Sequence, residues 1–262
     1  MTRVFLDTSA LIELTFWDAE KRRSIRARFP PASQECTSTY VVFEVARGFL
    51  RNLILLHNQS YVVSRFSDII TFGGVVWRKH HYSGTISSAL ADFMRGSPAC
   101  HGADDQELLD IFRGYLRGRI RLGWRQLLQS GEVINPCGCK LPKAPAQNED
   151  GSFDQTLSKN DCGKRCECGL KAYIEAHRPD FVRLRTRLQS LPNPDVETTK
   201  RIRSLRALYR VPNRDFDAND CYDSSDAIIA HECPASATLL TKNGKHFTDA
   251  CDIFEKKLIS YV

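Results

Sequence analysis

The chain has 262 residues, 42% hydrophobic and 26% charged, with a formal net charge of +6. That length can bury a full core and the composition is ordinary for a soluble protein, while no run nears the ~18 apolar residues of a membrane span. Acids at Asp7, Glu13, Asp18 and Glu20 do not suit a secretory leader, so a cytoplasmic protein without membrane contact is expected, and its positive charge favours an acidic partner.

Arg3-Val4-Phe5-Leu6 reads as a short buried strand broken by Asp7-Thr8-Ser9. Ala10 to Trp17 continues as a helix with Thr8 or Ser9 as its N-cap. Residues 21–31 read as a basic loop closing on Pro30-Pro31, followed by a short strand near Cys36 to Ser38 and a helix from about Tyr40 to His57. Residues 61–95 suggest one or two helices interrupted at Gly73-Gly74, 96–108 a loop and 109–130 a basic helix. Residues 135–169 lack a sustained period, which is unusual inside a compact domain unless something pins the segment. Basic helices are expected over 170–190 and 196–210, then a polar loop over 212–222 and a helix from Ser224 to Glu232. Ala237 to Thr241 and Leu258 to Val262 complete the strands. Strands alternating with helices at both ends predict an α/β fold with a mostly parallel sheet.

Such sheets bind ligands beyond the carboxyl ends of their strands. Asp7 ends the first strand, Asn243 follows the strand ending at Thr241, and Glu44 and Asp226 lie in early turns of helices starting at that edge. Carboxylates converging on one cleft repel, and a divalent cation relieves this. Asp and Glu are the hard oxygen donors that Mg²⁺ and Mn²⁺ prefer. Asp223 and Asp226 are spaced as N-cap and N3, so Asp223 is assigned to capping and Asp226 to metal. Each residue also has a plainer role: Asp7 could cap the first helix, and Glu44 could pair with Arg47.

Val4-Phe5-Leu6-Asp7-Thr8-Ser9-Ala10-Leu11-Ile12 resembles the opening of PIN-domain ribonucleases, and Thr37-Ser38-Thr39-Tyr40 through Glu44 and Arg47-Gly48 resembles their second motif. Asp226-Ala227-Ile228-Ile229-Ala230 is similar to the third, and Thr238-Leu239-Leu240-Thr241-Lys242-Asn243 with His246-Phe247 to the fourth. The likeness covers roughly residues 1–60 and 220–262 and leans toward the VapC type of toxin ribonuclease. It implies a PIN-like α/β/α sandwich in which Asp7, Glu44 and Asp226 bind Mg²⁺ or Mn²⁺, with Asn243 as a fourth catalytic position and Thr8 and Thr241 as hydroxyl supports. Asn243 and His246 stand where acids are common in the family. The implied activity is endonucleolytic RNA hydrolysis by metal-activated water, leaving a 5′-phosphate and a 3′-hydroxyl. A haloacid-dehalogenase phosphatase would need a second Asp at position 9, where this chain has Ser9.

Five of ten cysteines fall within Cys137-Gly-Cys139 and Cys162-Gly-Lys-Arg-Cys166-Glu-Cys168. That count is high for a reducing compartment, and clustered thiolates favour a structural Zn²⁺ held by four of Cys137, Cys139, Cys162, Cys166 and Cys168. Isolated Cys36, Cys100, Cys221, Cys233 and Cys251 are read as core thiols.

Between Glu44 and Asp226 lie 181 residues. Residues 1–96 and 216–262 are expected to form the nuclease core, and 97–215 an inserted, basic, mainly helical subdomain carrying the cysteine cluster at 135–169. Arginine forks match phosphate, so Arg113, Arg117, Arg121, Arg125, Arg183 and Arg187 are candidate RNA contacts, with solvated helix faces as the plainer account. RNA is the expected partner, and an antitoxin or other protein and a second copy of the chain are further candidates. The rival functions are a PIN-fold module that binds RNA or protein without cleaving, and the toxin of a toxin–antitoxin pair.

Overall fold

The structure, a computed structural model, describes residues 2–79, 83–96, 102–129, 131–154, 169–210 and 218–261. Five parallel strands form one sheet: β1 (Arg3–Leu6), β2 (Gln34–Ser38), β3 (Glu132–Ile134), β4 (Ala237–Thr241) and β5 (Lys257–Ser260), in the order β3-β2-β1-β4-β5. Helices flank this sheet, so the chain is α/β. Central strands of a parallel sheet are covered on both faces and therefore read as continuous apolar runs. Val4, Phe5 and Leu6 of β1 are fully buried, and all five residues of β4 are buried. The chain lays β2 and β3 on one side of β1 and then crosses to place β4 on the other. The reversal opens a crevice at the carboxyl ends of β1 and β4, where Asp7 and Thr241 sit.

The described chain divides into two compact units: Met1–Val45, Leu127–Pro142 and Lys159–Val262 in one, Ala46–Gln126 and Lys143–Ser158 in the other. The expected insertion, 97–215, is therefore shared between them: β3 extends the sheet, and the helices after residue 169 belong to the sheet unit.

In the sheet unit, α1 (Thr8–Phe16) is capped by Asp7, not by Thr8 or Ser9; its carboxylate accepts from the Ala10 N–H at 2.7 Å. The expected basic loop after it contains α2 (Ala19–Arg26), capped by Asp18. Lysine and arginine propagate a helix well once capped. β2 leads into α3 (Thr39–Val45). The expected single helix from Tyr40 to His57 is divided by a π-helical turn at Ala46–Leu50 before α4 (Arg51–Val62).

In the second unit, α4 is followed by α5 (Phe66–Lys79), α6 (Ser83–Gly96) and α7 (Asp105–Gln129), whose last residues return to the sheet unit. Gly73-Gly74 does not interrupt α5. Gly73 faces Leu90 and Ile86 of α6, where a Cβ would meet side chains at ordinary van der Waals distance. α7 begins earlier than expected because Asp104 and Glu107 form a capping box. Asp104 Oδ1 accepts from the Gln106 and Glu107 N–H groups, and the Asp104 N–H donates back to Glu107. Phe66, Phe93 and Phe112 pack ring against ring at the core of this unit.

The sheet unit closes with α8 (Leu170–Ala176), α9 (Arg178–Gln189), α10 (Val196–Arg210), α11 (Ala218–Asp223), α12 (Ser225–Glu232) and α13 (Gly244–Ile253). α11 takes up residues 218–222 of the expected polar loop, whose earlier part lies outside the described residues. Asp223 ends it and does not cap α12, whose N-cap is Ser224. Among the described residues no helix is long and apolar enough to cross a membrane.

Candidate metal centre

Asp7 is 2% exposed, and both its carboxylate oxygens are engaged. Oδ1 accepts from the Ala10 N–H at 2.7 Å and Ser9 Oγ at 2.8 Å; Oδ2 accepts from Thr241 Oγ at 2.7 Å and Ser9 Oγ at 2.9 Å. Burial, with a lesser push from the Asp226 charge, raises the carboxyl to about 7 against these hydrogen bonds. The capping and functional readings of Asp7 are thus compatible, since one strand-end carboxylate caps α1 and faces a second acid.

Thr241, fully buried at the end of β4, donates to Asp7 and accepts from the Asn243 N–H at 2.9 Å. This fixes the turn into α13, where Gly244 is required because a Cβ would overlap Ser260. Asn243 is the N-cap of α13, but its exposed side chain makes no capping bond. Glu44 on α3 accepts from Thr8 Oγ at 2.5 Å, which ties it to the residue beside Asp7.

Asp226 stands in the first turn of α12, where a negative charge is favoured. Its Oδ2 accepts from Arg201 Nη2 at 2.6 Å and lies 3.5 Å from His246 Nδ1. Arg201, on α10 and 8% exposed, also donates to the His246 carbonyl at 2.9 Å. Asp226 in turn holds His246 above the usual imidazole range. Asp223 lies apart from this pair and accepts from Ser204 at 3.3 Å. Glu44 is thus linked to the Asp7 end of β1 through Thr8, and Asp226 acts on Asp7 through its charge, but among the described residues the oxygens of the three acids do not close to within 4.8 Å as a set.

Sequence reasoning missed Ser9, Arg201 and Glu232. Glu232, 3% exposed at the end of α12, accepts from Ser38 Oγ at 2.6 Å and from the Cys137 N–H at 3.3 Å. Burial pushes its carboxyl up to about 6, and Glu44 adds to the push. A visible signal was an acid closing the otherwise apolar run Ala227 to Ala230, at the helix end where negative charge is disfavoured.

Cys137 and Cys139 are both buried, and the proximity of Cys139, followed by burial, pushes the Cys137 thiol up. Cys162, Cys166 and Cys168, and with them most of the expected zinc cluster, lie outside the described residues. Cys36, Cys221, Cys233 and Cys251 are buried, whereas Cys100 also lies outside the described residues.

The candidate RNA-binding arginines differ in role. Arg113 donates to the Ser60 carbonyl at 2.5 and 3.0 Å and pairs with Asp110 at 2.6 Å, closing the end of α4. Arg117 donates to the Tyr61 hydroxyl at 3.2 Å and Arg121 to Gln147. Arg125, Arg183 and Arg187 are exposed, the last two paired with Asp180 at 2.7 Å and Asp249 at 3.1 Å. Comparison with family models, curated proteins and solved structures returns no match to this chain.

Proposed function

We propose that the chain is a metal-dependent endoribonuclease built on a PIN-like α/β/α sandwich, its centre at the crevice between β1 and β4. The observation that carries this reading is Asp7, buried at the switch point with Asp226 close enough to raise its carboxyl. Burying one carboxylate against another is costly unless a cation joins them. The donor set fits Mg²⁺ or Mn²⁺ in kind: hard carboxylate oxygens, few in number, suit an ion that keeps several of its waters.

In this reading Asp7, Asp226 and Glu44 hold the ion, and Asn243 stands at the rim as a neutral polar group. When bound, the ion supplies a Lewis acid that polarises a phosphodiester oxygen and lowers the pKa of a water. Thr241 and Ser9 orient both oxygens of Asp7, and Thr8 orients Glu44. Such outer partners fix the ligand direction on which metal affinity depends.

A second reading, a PIN-fold module that binds RNA or protein without cleaving, is favoured by one contact. The Arg201 guanidinium already neutralises Asp226 at 2.6 Å. RNA cleavage in Mg²⁺ or Mn²⁺ by the wild type, Asp7→Asn and Arg201→Ala proteins separates the two. The nuclease reading expects metal-dependent cleavage that Asp7→Asn lowers by 100-fold or more, a loss of about 3 kcal/mol in transition-state stabilisation. No metal-dependent cleavage by either the wild type or Arg201→Ala would leave the binding module standing.

A further inference from the structure

Away from the Asp7 crevice, three helix ends of the sheet unit meet. His177 lies at the break between α8 and α9, Asp180 in the first turn of α9, and His231 in the last turn of α12. One donor atom from each lies within 4.8 Å of the other two. We infer that His177, Asp180 and His231 form a second metal site, selective for a borderline transition ion of the Zn²⁺ class and separate from the oxygen-donor centre.

Four features carry the inference. His231 Nε2 and Asp180 Oδ2 are 3.2 Å apart, close to the ~3.4 Å separating tetrahedral zinc ligands with bonds near 2.1 Å. The His177 ring lies 4.6 Å from that of His231 between centroids, which brings a third nitrogen donor to the same cluster. A hydrogen bond between Asp180 and one imidazole would account for His231 alone. His177 is held by ring contacts with Tyr173 and His231, and among the described residues its nitrogens take no hydrogen bond. Finally, Tyr173 OH sits 2.6 Å from His231 Nδ1. With Nδ1–H donating to the phenol oxygen, Nε2 presents its lone pair toward Asp180, the arrangement in which an outer partner fixes the tautomer of a metal-bound histidine.

Phe181 and Phe254 pack against the His231 ring and restrict its orientation. Imidazole nitrogens select Zn²⁺, Ni²⁺ or Cu²⁺ over Mg²⁺. The open side faces a shallow cleft lined by Arg183 and Lys256 as well as by Asp180 and His231. Three protein ligands with a solvent-facing fourth position leave room for water or an anion.

The test uses the full, reduced, metal-stripped chain. Zn²⁺ bound after dialysis is counted in the wild type, His177→Ala, Asp180→Asn, Tyr173→Phe, Cys137→Ser and Asp7→Asn proteins. We expect His177→Ala and Asp180→Asn to lose one equivalent that Cys137→Ser and Asp7→Asn retain, and Tyr173→Phe to weaken that equivalent about 10- to 100-fold. Because substitutions here can disturb packing, Co²⁺ is also added to the unmodified protein, where ring protons of His177 and His231 should show paramagnetic shifts. Unchanged zinc stoichiometry in His177→Ala and Asp180→Asn, or unshifted histidine signals at saturating Co²⁺, would overturn the site. Neither readout depends on RNA cleavage.

Discussion

Asp7 concentrates the demands placed on this fold into one side chain. It caps α1 through the Ala10 N–H, closes the β4 turn through Thr241 and still carries a charge that burial disfavours. Its carboxyl sits at about 7 in the folded chain against an ordinary 3.8. Between those values the folded state holds more protons than the unfolded one, so stability falls as pH rises through this window. Glu232, raised to about 6, acts in the same direction. Metal-free protein should therefore gain thermal stability in Asp7→Asn at pH 8, on the order of a few kcal/mol, and gain little at pH 4. Mg²⁺ should raise the melting temperature of the wild type at pH 8 and leave that of Asp7→Asn unmoved. Thermal melts at both pH values, with and without Mg²⁺, check this; an Asp7→Asn protein less stable at pH 8 than the wild type would contradict it.

At the scale of elements, the segment after Lys143 has a physical account that requires no metal within its described part. Phe153 is 2% exposed and is gripped by Asn58 of α4, whose Oδ1 accepts from the Phe153 N–H at 2.8 Å and whose Nδ2 donates to its carbonyl at 2.7 Å. His57 and Phe153 pack ring to ring at 5.0 Å, and Gln147 bridges to Phe153 as a one-residue strand. Asn58→Ala leaves both backbone groups without partners, so it should cost about 2 kcal/mol. It should also open residues 143–154 to limited proteolysis, read by denaturant unfolding and cleavage mapping. The sequence made β1 and β4 legible, because an apolar run that ends in a polar residue announces a parallel strand and its carboxyl end, where Asp7 follows β1. It hid α2, α11 and β3, whose formation depends on local capping or sheet pairing more than on apolar period. β3 is only three residues long and gains its place by pairing with β2. Arg201 and Glu232 were hidden for a different reason: their partners, Asp226 and Ser38, are 25 and 194 residues distant in the chain.

At the scale of the whole molecule, the charge of +6 is a resource divided between scaffold and surface. Arg113 belongs to the scaffold, since its guanidinium takes over the Ser60 carbonyl at the end of α4. Arg125 and Arg187 are exposed, and among the described residues Arg187 pairs with Asp249 at 3.1 Å. Where an RNA phosphate meets an exposed arginine the contact releases counterions, and the slope of log affinity against log salt falls by about 0.7 for each contact removed from a single strand. Arg125→Ala and Arg187→Ala should each weaken single-stranded RNA binding and flatten that slope, with unfolding free energy changed by less than about 0.5 kcal/mol. Arg113→Ala should do the reverse: it removes charge-assisted hydrogen bonds to a backbone carbonyl, costs about 2 kcal/mol of stability, and leaves the slope unaltered in protein that remains folded. Fluorescence anisotropy across a salt series, paired with denaturant unfolding, separates these outcomes. A slope that Arg125→Ala and Arg187→Ala leave unchanged would mean that neither arginine meets phosphate.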